Sequence, residues 1–256
     1  MYSEYISYIK YINFDNFDNF NFKSNQKYNS ILEHVSYEDG VKYAELIIKE
    51  FPNIHLDDIL KYIEMNDKYG YPKLYNIHIY NKKVNCSTTS LRYVYHALVI
   101  LEYYKKTGLT KIVEVGCGYG GLFLALDHFS RLLNIDIHKY YIIDLPEVCN
   151  LIKIYLKAHN VDSNKFFIHD ATLYGSDIND DNLFFISNYC FTEIDYNKRI
   201  EYLKNLINKT SNGFIIWQTI FDKTNINNIV FPKKIIYSEE RPQTASIEYK
   251  NYFVYY

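Results

Sequence analysis

Apolar runs and helical stripes alternate along most of the chain. From residue 111 onward, KIVEVG reads as a buried strand and GLFLALDHFSRLL as a helix. YYIID reads as a strand, and PEVCNLIKIYLKAHN as a helix with Pro146 in its first turn. KFFIHDA and DNLFFIS read as strands, DYNKRIEYLKNLINK as a helix capped by Asp195, and GFIIWQT as a strand. Strands alternating with helices predict an α/β fold around a parallel sheet. The C-terminal stretch KKIIYSEERPQTASIEYKNYFVYY holds two strand-like runs with too little chain between them for a helix. An antiparallel edge pair fits that spacing. Before the first strand, STTSLRYVYHALVILEYYKKT predicts one capped helix over 87–107, ending before Gly108, with Leu91, Val94, Tyr95 and Leu98 at helical spacing.

Residues 1–85 read differently. Tyr2 to Ile12 predicts a short helix, and NFDNFDNFNF, nearly a three-residue repeat, reads as a low-complexity loop because Asn and Asp favour turns. SYEDGVKYAELIIKEF predicts a helix with Ser36 and Asp39 in a capping arrangement and Leu46 and Ile47 inside. LDDILKYIEMNDKYG places Leu56, Ile59, Leu60 and Ile63 on one helical face, with Gly70 as a stop. The expectation is a helical lid or dimerisation arm over 1–85 and a second domain over 86–256.

Composition adds exclusions. The 18% aromatic share comes mainly from 29 Tyr, in a background also rich in Ile, Asn and Lys, so most Tyr are not read as ligand platforms. A net charge of −2 and a pI near 6.4, with no long basic block, disfavour nucleic acid as a partner. No apolar run of about 18 residues predicts a membrane span, and the start MYSEYISYIK lacks the order of a signal peptide. The four cysteines, Cys86, Cys117, Cys149 and Cys190, form no CxxC pair, which argues against a zinc site or a disulfide framework and for a reducing cytoplasm.

The segment Ile112 to Gly121 carries the candidate chemistry. A strand ends, glycines permit a tight turn, and a helix begins, with unpaired N–H groups and a positive dipole end facing the turn. Such loops receive nucleotide-like ligands at the carboxyl ends of strands. Gly116, Gly118 and Gly121 satisfy the dinucleotide pattern GxGxxG, with Asp136 about twenty residues on. Gly116, Gly118 and Gly120, preceded by Glu114, also satisfy the E/D-x-G-x-G-x-G pattern of S-adenosylmethionine enzymes. Asp136 precedes the next strand, whereas Asp144 ends it, where a carboxylate can bond both ribose hydroxyls or simply cap the turn before Leu145-Pro146. Asp170, ending KFFIHDA, is placed to meet an adenine amine or to stand solvated at the strand end.

IVEVGCGYGGL followed by YYIIDLPEV resembles the class I S-adenosylmethionine-dependent methyltransferases. STTSLRYVYHALVILEYY, SNYCFTEI and EERP are similar to stretches of the sugar O-methyltransferase family found in surface-glycan gene sets. The resemblance covers about residues 86–256. It implies a Rossmann-like seven-stranded mixed sheet, the last strand antiparallel, flanked by helices, which agrees with the reading of the C-terminus. It implies that Glu114, Gly116, Gly118 and Gly120, with Tyr119, form the cofactor loop, that Asp144 and Leu145 meet the ribose, and that Arg92 and Asn188 belong to the cofactor site, with Asp170 added by its position. It also implies that Tyr93 and His96 face the cofactor or acceptor, and that Tyr189, Glu240 and Arg241 belong with the acceptor. The implied acceptor is a sugar, nucleotide sugar or glycan; a homodimer is left open.

Methyl transfer to a hydroxyl needs alignment, exclusion of water and a proton acceptor. Glu193, after the fourth strand, is the first candidate base and His96 the second, followed by Glu239 and Glu240; His169, beside Asp170, is expected at the adenine, too far from the methyl. No metal is expected, because no ligand spacing declares one and the fourth strand ends in Ser187-Asn188 rather than in an aspartate. Asn188-Tyr189-Cys190-Phe191 lacks the prolines of the N-methylating D/N-P-P-Y/F turn. Three rivals stay open: an N-methyltransferase on an amino sugar, an NAD-dependent oxidoreductase using the same loop, and a non-catalytic module of the same fold.

Overall fold

The computed structural model describes residues 2–29, 31–221, 231 and 233–256. The chain divides into two compact units. One comprises the residues up to Glu102 with Gly118–Ile135 and Asn150–Val161; the other comprises Tyr103–Cys117, Asp136–Cys149 and Asp162–Tyr256. The elements in chain order are α1 (Tyr2–Ile9), α2 (Gln26–Asn29), α3 (Tyr37–Glu50), α4 (Leu56–Asp67), β1 (Tyr75–Ile79), β2 (Lys82–Cys86), α5 (Thr88–Tyr104), β3 (Lys111–Val115) and α6 (Gly121–Leu132). There follow β4 (Lys139–Asp144), α7 (Pro146–Ala158), β5 (Phe166–Asp170), β6 (Leu183–Asn188), α8 (Tyr196–Asn205), β7 (Thr210–Gln218), β8 (Ile236–Glu239) and β9 (Asn251–Tyr255).

The second unit contains one seven-stranded sheet in the order β5-β4-β3-β6-β7-β9-β8. β3 pairs in parallel with β4 and β6, β4 with β5, and β6 with β7. β9 runs antiparallel to both neighbours, β7 and β8. This is the Rossmann-like mixed sheet that the resemblance implies, and the apolar runs predict its parallel part and the antiparallel edge pair. Side chains alternate across each strand. Val113, Val115, Tyr141, Ile143, Phe185, Ile215 and Trp217 therefore share one buried face, closed by Tyr202 of α8 with Leu206 and Ile207. The strand order reverses at β3, and the carboxyl edge of such a sheet at its switch point is where open α/β folds take ligands.

In the first unit, Ser36 caps α3 by accepting from Asp39 N–H at 3.0 Å, and its hydroxyl donates to Asp39 Oδ2 at 2.9 Å. Ile47 is buried as predicted, whereas Leu46 is only half-buried. On α4, Ile59 and Ile63 are buried together with Tyr62 and Asn66, and Leu56 and Leu60 are half-buried. The pattern missed a hairpin. β1 and β2 pair antiparallel around Tyr80-Asn81, whose φ values of 47° and 63° make the tight turn that suits a two-residue hairpin loop. Alternating Ile77, Ile79, Val84 and Cys86, all buried, were the available signal.

The NFDNFDNFNF stretch is no loose loop. Phe17, in a short 3-10 turn at Phe17–Asn19, is 2% exposed and Phe22 is 0% exposed. Phe17 packs on Tyr69 with ring centroids 4.9 Å apart, and Phe22 packs on Tyr28 at 5.3 Å and Tyr119 at 5.6 Å. Local propensity gave way to burial of aromatic area, the larger stabilising effect. Phe22→Ala should cost about 3–5 kcal/mol, while Phe14→Ala, at a 48% exposed ring, should cost under about 1 kcal/mol. Equal denaturation midpoints for the two variants would show that the stretch does not contribute to the core.

Candidate functional site

In the second unit, four strand ends meet at the carboxyl edge. Asp144 ends β4 beside Asp170 of β5 in direct register. β3 leads into Gly116, whose N–H donates to Ile143 O at 3.0 Å, so the turn starts tight against β4. Gly116, Gly118 and Gly120 have φ values of +81°, +61° and +92°, a region that side chains rarely enter. Cys117 N–H donates to Asp144 Oδ2 at 2.7 Å, and Asp144 Oδ1 accepts from Leu145 N–H at 2.8 Å. The ribose and turn-capping readings of Asp144 are therefore not exclusive: backbone donors hold the half-buried carboxylate in one orientation at the strand end.

Glu114 is 2% exposed and accepts the Tyr140 hydroxyl at 2.6 Å. Burial pushes its carboxyl up to about 7, against the pull of the Tyr140 hydrogen bond. Asp170 caps the turn that follows it, accepting from Thr172 N–H and Oγ1 at 2.8 Å. His169 is tied to Asp177, Nδ1 to Oδ2 at 2.6 Å. Leu145 is exposed.

Asn188, at the end of β6, has its amide oxygen and nitrogen both buried, with no hydrogen-bond partner among the described residues. An unpaired buried amide is costly and calls for an explanation. Around it, Ser187 Oγ donates to Val115 O at 2.8 Å and accepts from Phe191 N–H at 3.1 Å. This turns the 189–192 segment toward the glycine loop and seats Cys190 against Gly116. Burial pushes the Cys190 thiol well up, helped by the negative charges of Asp144, Glu193 and Glu114, which places those three acids within electrostatic reach of it. Glu193 is half-buried.

Tyr189 has φ +59° and donates its hydroxyl to Glu240 Oε1. Glu240, 2% exposed, also accepts from Thr244 N–H at 3.0 Å, Thr244 Oγ1 at 2.7 Å and Asn251 Nδ2 at 3.0 Å. Glu240 thus holds Tyr189 and the 244–251 segment together, while its neighbour Arg241 is exposed.

The first unit holds the other predicted residues. Arg92 is 7% exposed, and its Nη2 donates to Leu32 O at 2.8 Å. Tyr93 packs edge-on against Tyr119 at 5.8 Å. The Tyr119 ring is fully buried and its hydroxyl is bonded to Asn66, so only the Tyr119 backbone is left to the loop. His96 is fully buried edge-on to Tyr43, and burial holds its pKa well below the usual histidine value.

Asp136 precedes β4, at the amino edge of the sheet, with its carbonyl accepting from Tyr104. It cannot serve as the ribose acid of a dinucleotide site. Among the described residues no group of three His, Cys, Asp or Glu is gathered for a metal ion, and no helix is long and apolar enough to cross a membrane. Left-handed glycine backbone, a fixed strand-end carboxylate and an unpaired buried amide suit a ligand with hydrogen-bonding edges.

No protein-family model matches the chain, and no curated protein does. Among solved structures, it is similar to the methyltransferase domain of bacterial CtHen1, with 12% identity over 62% of this chain and 96% of that one and a TM-score of 0.44. It is similar to the N-terminal domain of EvdMO1, solved in the presence of SAH and D-fucose, with 11% identity over 78% and 94% of the two chains and a TM-score of 0.44. It is also similar to the mitomycin 7-O-methyltransferase MmcR, with 15% identity over 51% of this chain and a TM-score of 0.37; the match spans 37% of that protein's length. Identities this low carry no information about substrate.

Proposed function

We propose that the protein is an S-adenosylmethionine-dependent O-methyltransferase acting on a sugar, nucleotide sugar or glycan precursor. The observation that carries the reading is the sheet: β9 runs reversed between β7 and β8, as the class I resemblance implied, and Asp144 stands at the end of the second strand beside the glycine turn. The unpaired amide of Asn188 supports an adenosyl ligand, since purine and ribose offer the donors and acceptors it lacks. When bound, S-adenosylmethionine supplies an electrophilic methyl group.

The chain's own residues supply binding, orientation and proton transfer. Asp144 accepts the ribose hydroxyls, and Gly116, Gly118 and Gly120 let the backbone approach. Tyr189, fixed by Glu240, orients a polyhydroxylated acceptor. Glu193 would accept the acceptor's hydroxyl proton. Four free thiols favour a reducing cytoplasm.

Titration calorimetry tests the cofactor. Micromolar affinity for S-adenosylmethionine with none for NAD is expected. Asp144→Ala should weaken S-adenosylmethionine binding by about 1–3 kcal/mol through loss of charged hydrogen bonds. NAD binding instead, or an unchanged affinity in the variant, overturns the assignment.

A further inference from the structure

One outer edge of the large sheet is β8, which pairs with β9 and with no other strand among the described residues. Its residues are all exposed, Ile236 at 69% and Tyr237 at 46%. An edge strand presents a row of unpaired N–H and C=O groups, and folded proteins guard such edges with charges, proline or bulges. β8 carries apolar residues at its centre. Glu240 N–H donates to Asn251 O at 2.9 Å, which continues the β8–β9 register and turns the backbone groups of Ile236, Ser238 and Glu240 toward β9. Backbone alternation then turns those of Ile235, Tyr237 and Glu239 outward.

The order of charges along this edge is the second observation. The chain reads KKIIYSEE over 233–240, basic before the strand and acidic at its end. Laid antiparallel, such a segment is complementary to itself. Two identical chains pair about a two-fold axis. Outward-facing residues must meet outward-facing residues, so the axis passes through a residue rather than between two. With the axis through Ile236, that residue faces its own copy, Ile235 faces the partner's Tyr237, and Lys233 faces the partner's Glu239. With the axis through Tyr237, Ile235 would face a glutamate, and Lys234 would face Glu240, whose buried carboxylate already accepts from Tyr189, Thr244 and Asn251. Only the first register sets apolar against apolar at the centre and accessible cation against accessible anion at both rims.

Both rim groups have capacity to spare. Lys233 is exposed, and its Nζ donates to Asn212 Oδ1 at 3.2 Å, leaving two of three donors for another acceptor. Glu239 accepts from Lys250 at 2.7 and 2.8 Å and keeps 56% of its side chain exposed. A solvated edge strand accounts for the exposure of β8. It gives no reason for a charge order that matches its own reverse around an apolar centre.

We propose that β8 is a self-association surface: two copies of the chain pair antiparallel along it about a two-fold axis through Ile236, joining their seven-stranded sheets into one continuous sheet. Lys233 of each copy meets Glu239 of the other. So short a strand buries little area, so the association is reversible and weak.

Sedimentation equilibrium tests it. The apparent mass should rise with concentration from the 30.6 kDa of one chain toward twice that value. Lys233→Glu and Glu239→Lys should each weaken the dimer about tenfold, because like charges then face each other twice across the axis. The two together should restore it to within about threefold, since the pairs are remade with signs exchanged. Ile236→Cys supplies a readout that needs no charge change: across the axis its thiols meet directly, and oxidised glutathione should link two chains. Ser238→Cys should not link, because antiparallel copies of that residue lie about 13 Å apart. A wild-type chain that stays monomeric at every concentration overturns the proposal. So does a dimer indifferent to both single charge changes, or a failure of the combined variant to recover while its melt stays native. Linking through Ser238→Cys as readily as through Ile236→Cys overturns the register.

Discussion

Glu193→Gln is expected to lower turnover at least about a hundredfold, the low end for general acid–base catalysis, with cofactor affinity near normal. The residue follows β6 by one tight turn, in which Glu193 N–H donates to Cys190 O at 2.9 Å. That turn is anchored by Ser187 Oγ to both Val115 and Phe191, so the carboxylate is carried on fixed backbone at the carboxyl edge of the sheet. Gln keeps the shape and the polarity and removes the proton-accepting charge. His96→Gln should act differently. Its imidazole is fully buried against Tyr43 and held neutral by burial, so its loss should lower stability more than turnover. Steady-state kinetics on the acceptor, together with melting curves, separate the two. Near-full turnover of Glu193→Gln beside a folded but inactive His96→Gln would reverse the roles. Activity in both would move the base to Glu239 or Glu240. Glu240 is the weaker of these, because its oxygens already accept from Tyr189, Thr244 and Asn251.

Gly116→Ala should abolish measurable S-adenosylmethionine binding and destabilise the second unit by at least about 2 kcal/mol. Two costs combine. The backbone at Gly116 is left-handed, φ +81°, which strains any side-chain-bearing residue. A Cβ there would also lie 2.3 Å from both Cβ and Sγ of Cys190, a distance that forces the 189–192 segment away from the turn. Adding Cys190→Gly should recover stability only in part, since it removes the overlap and leaves the strain. Coupling between the two sites in a double-mutant cycle measures the overlap alone. Native affinity and a native melt in Gly116→Ala would show that neither the turn nor the Cys190 contact shapes the site.

Local pattern made the sheet legible. Apolar runs mark all seven strands of the large sheet; in β3, β4, β6 and β7 they are nearly continuous because burial on both faces of a parallel sheet demands it, whereas β8 is exposed throughout. Ser36, Asp195 and Pro146 mark helix starts for an equally local reason: the first turn of a helix needs an acceptor side chain or a residue without an N–H. The glycine turn and Asp144 belong to the same group, since a left-handed turn selects glycine and a strand end exposes its last carboxylate.

The N-terminal region was legible only in part. Tyr80-Asn81 was a readable hairpin signal hidden by a helical expectation. Phe17 and Phe22 were not readable, because in a run of Asn and Asp their burial depends on Tyr69 and Tyr119, far along the chain, as well as on nearby Tyr28. The same holds for the finer chemistry. Residue type alone does not distinguish Glu240 as a bonded hub from Asn188 with an unpaired amide, or Glu33 with an unaccompanied oxygen from the solvated glutamates around it. Sequence by itself determined the strands of the large sheet, the helix starts and the glycine turn, since each depends on neighbours within a few residues. Only the tertiary structure decided which polar atoms were satisfied, because their partners, or the want of them, are set by segments remote in the chain.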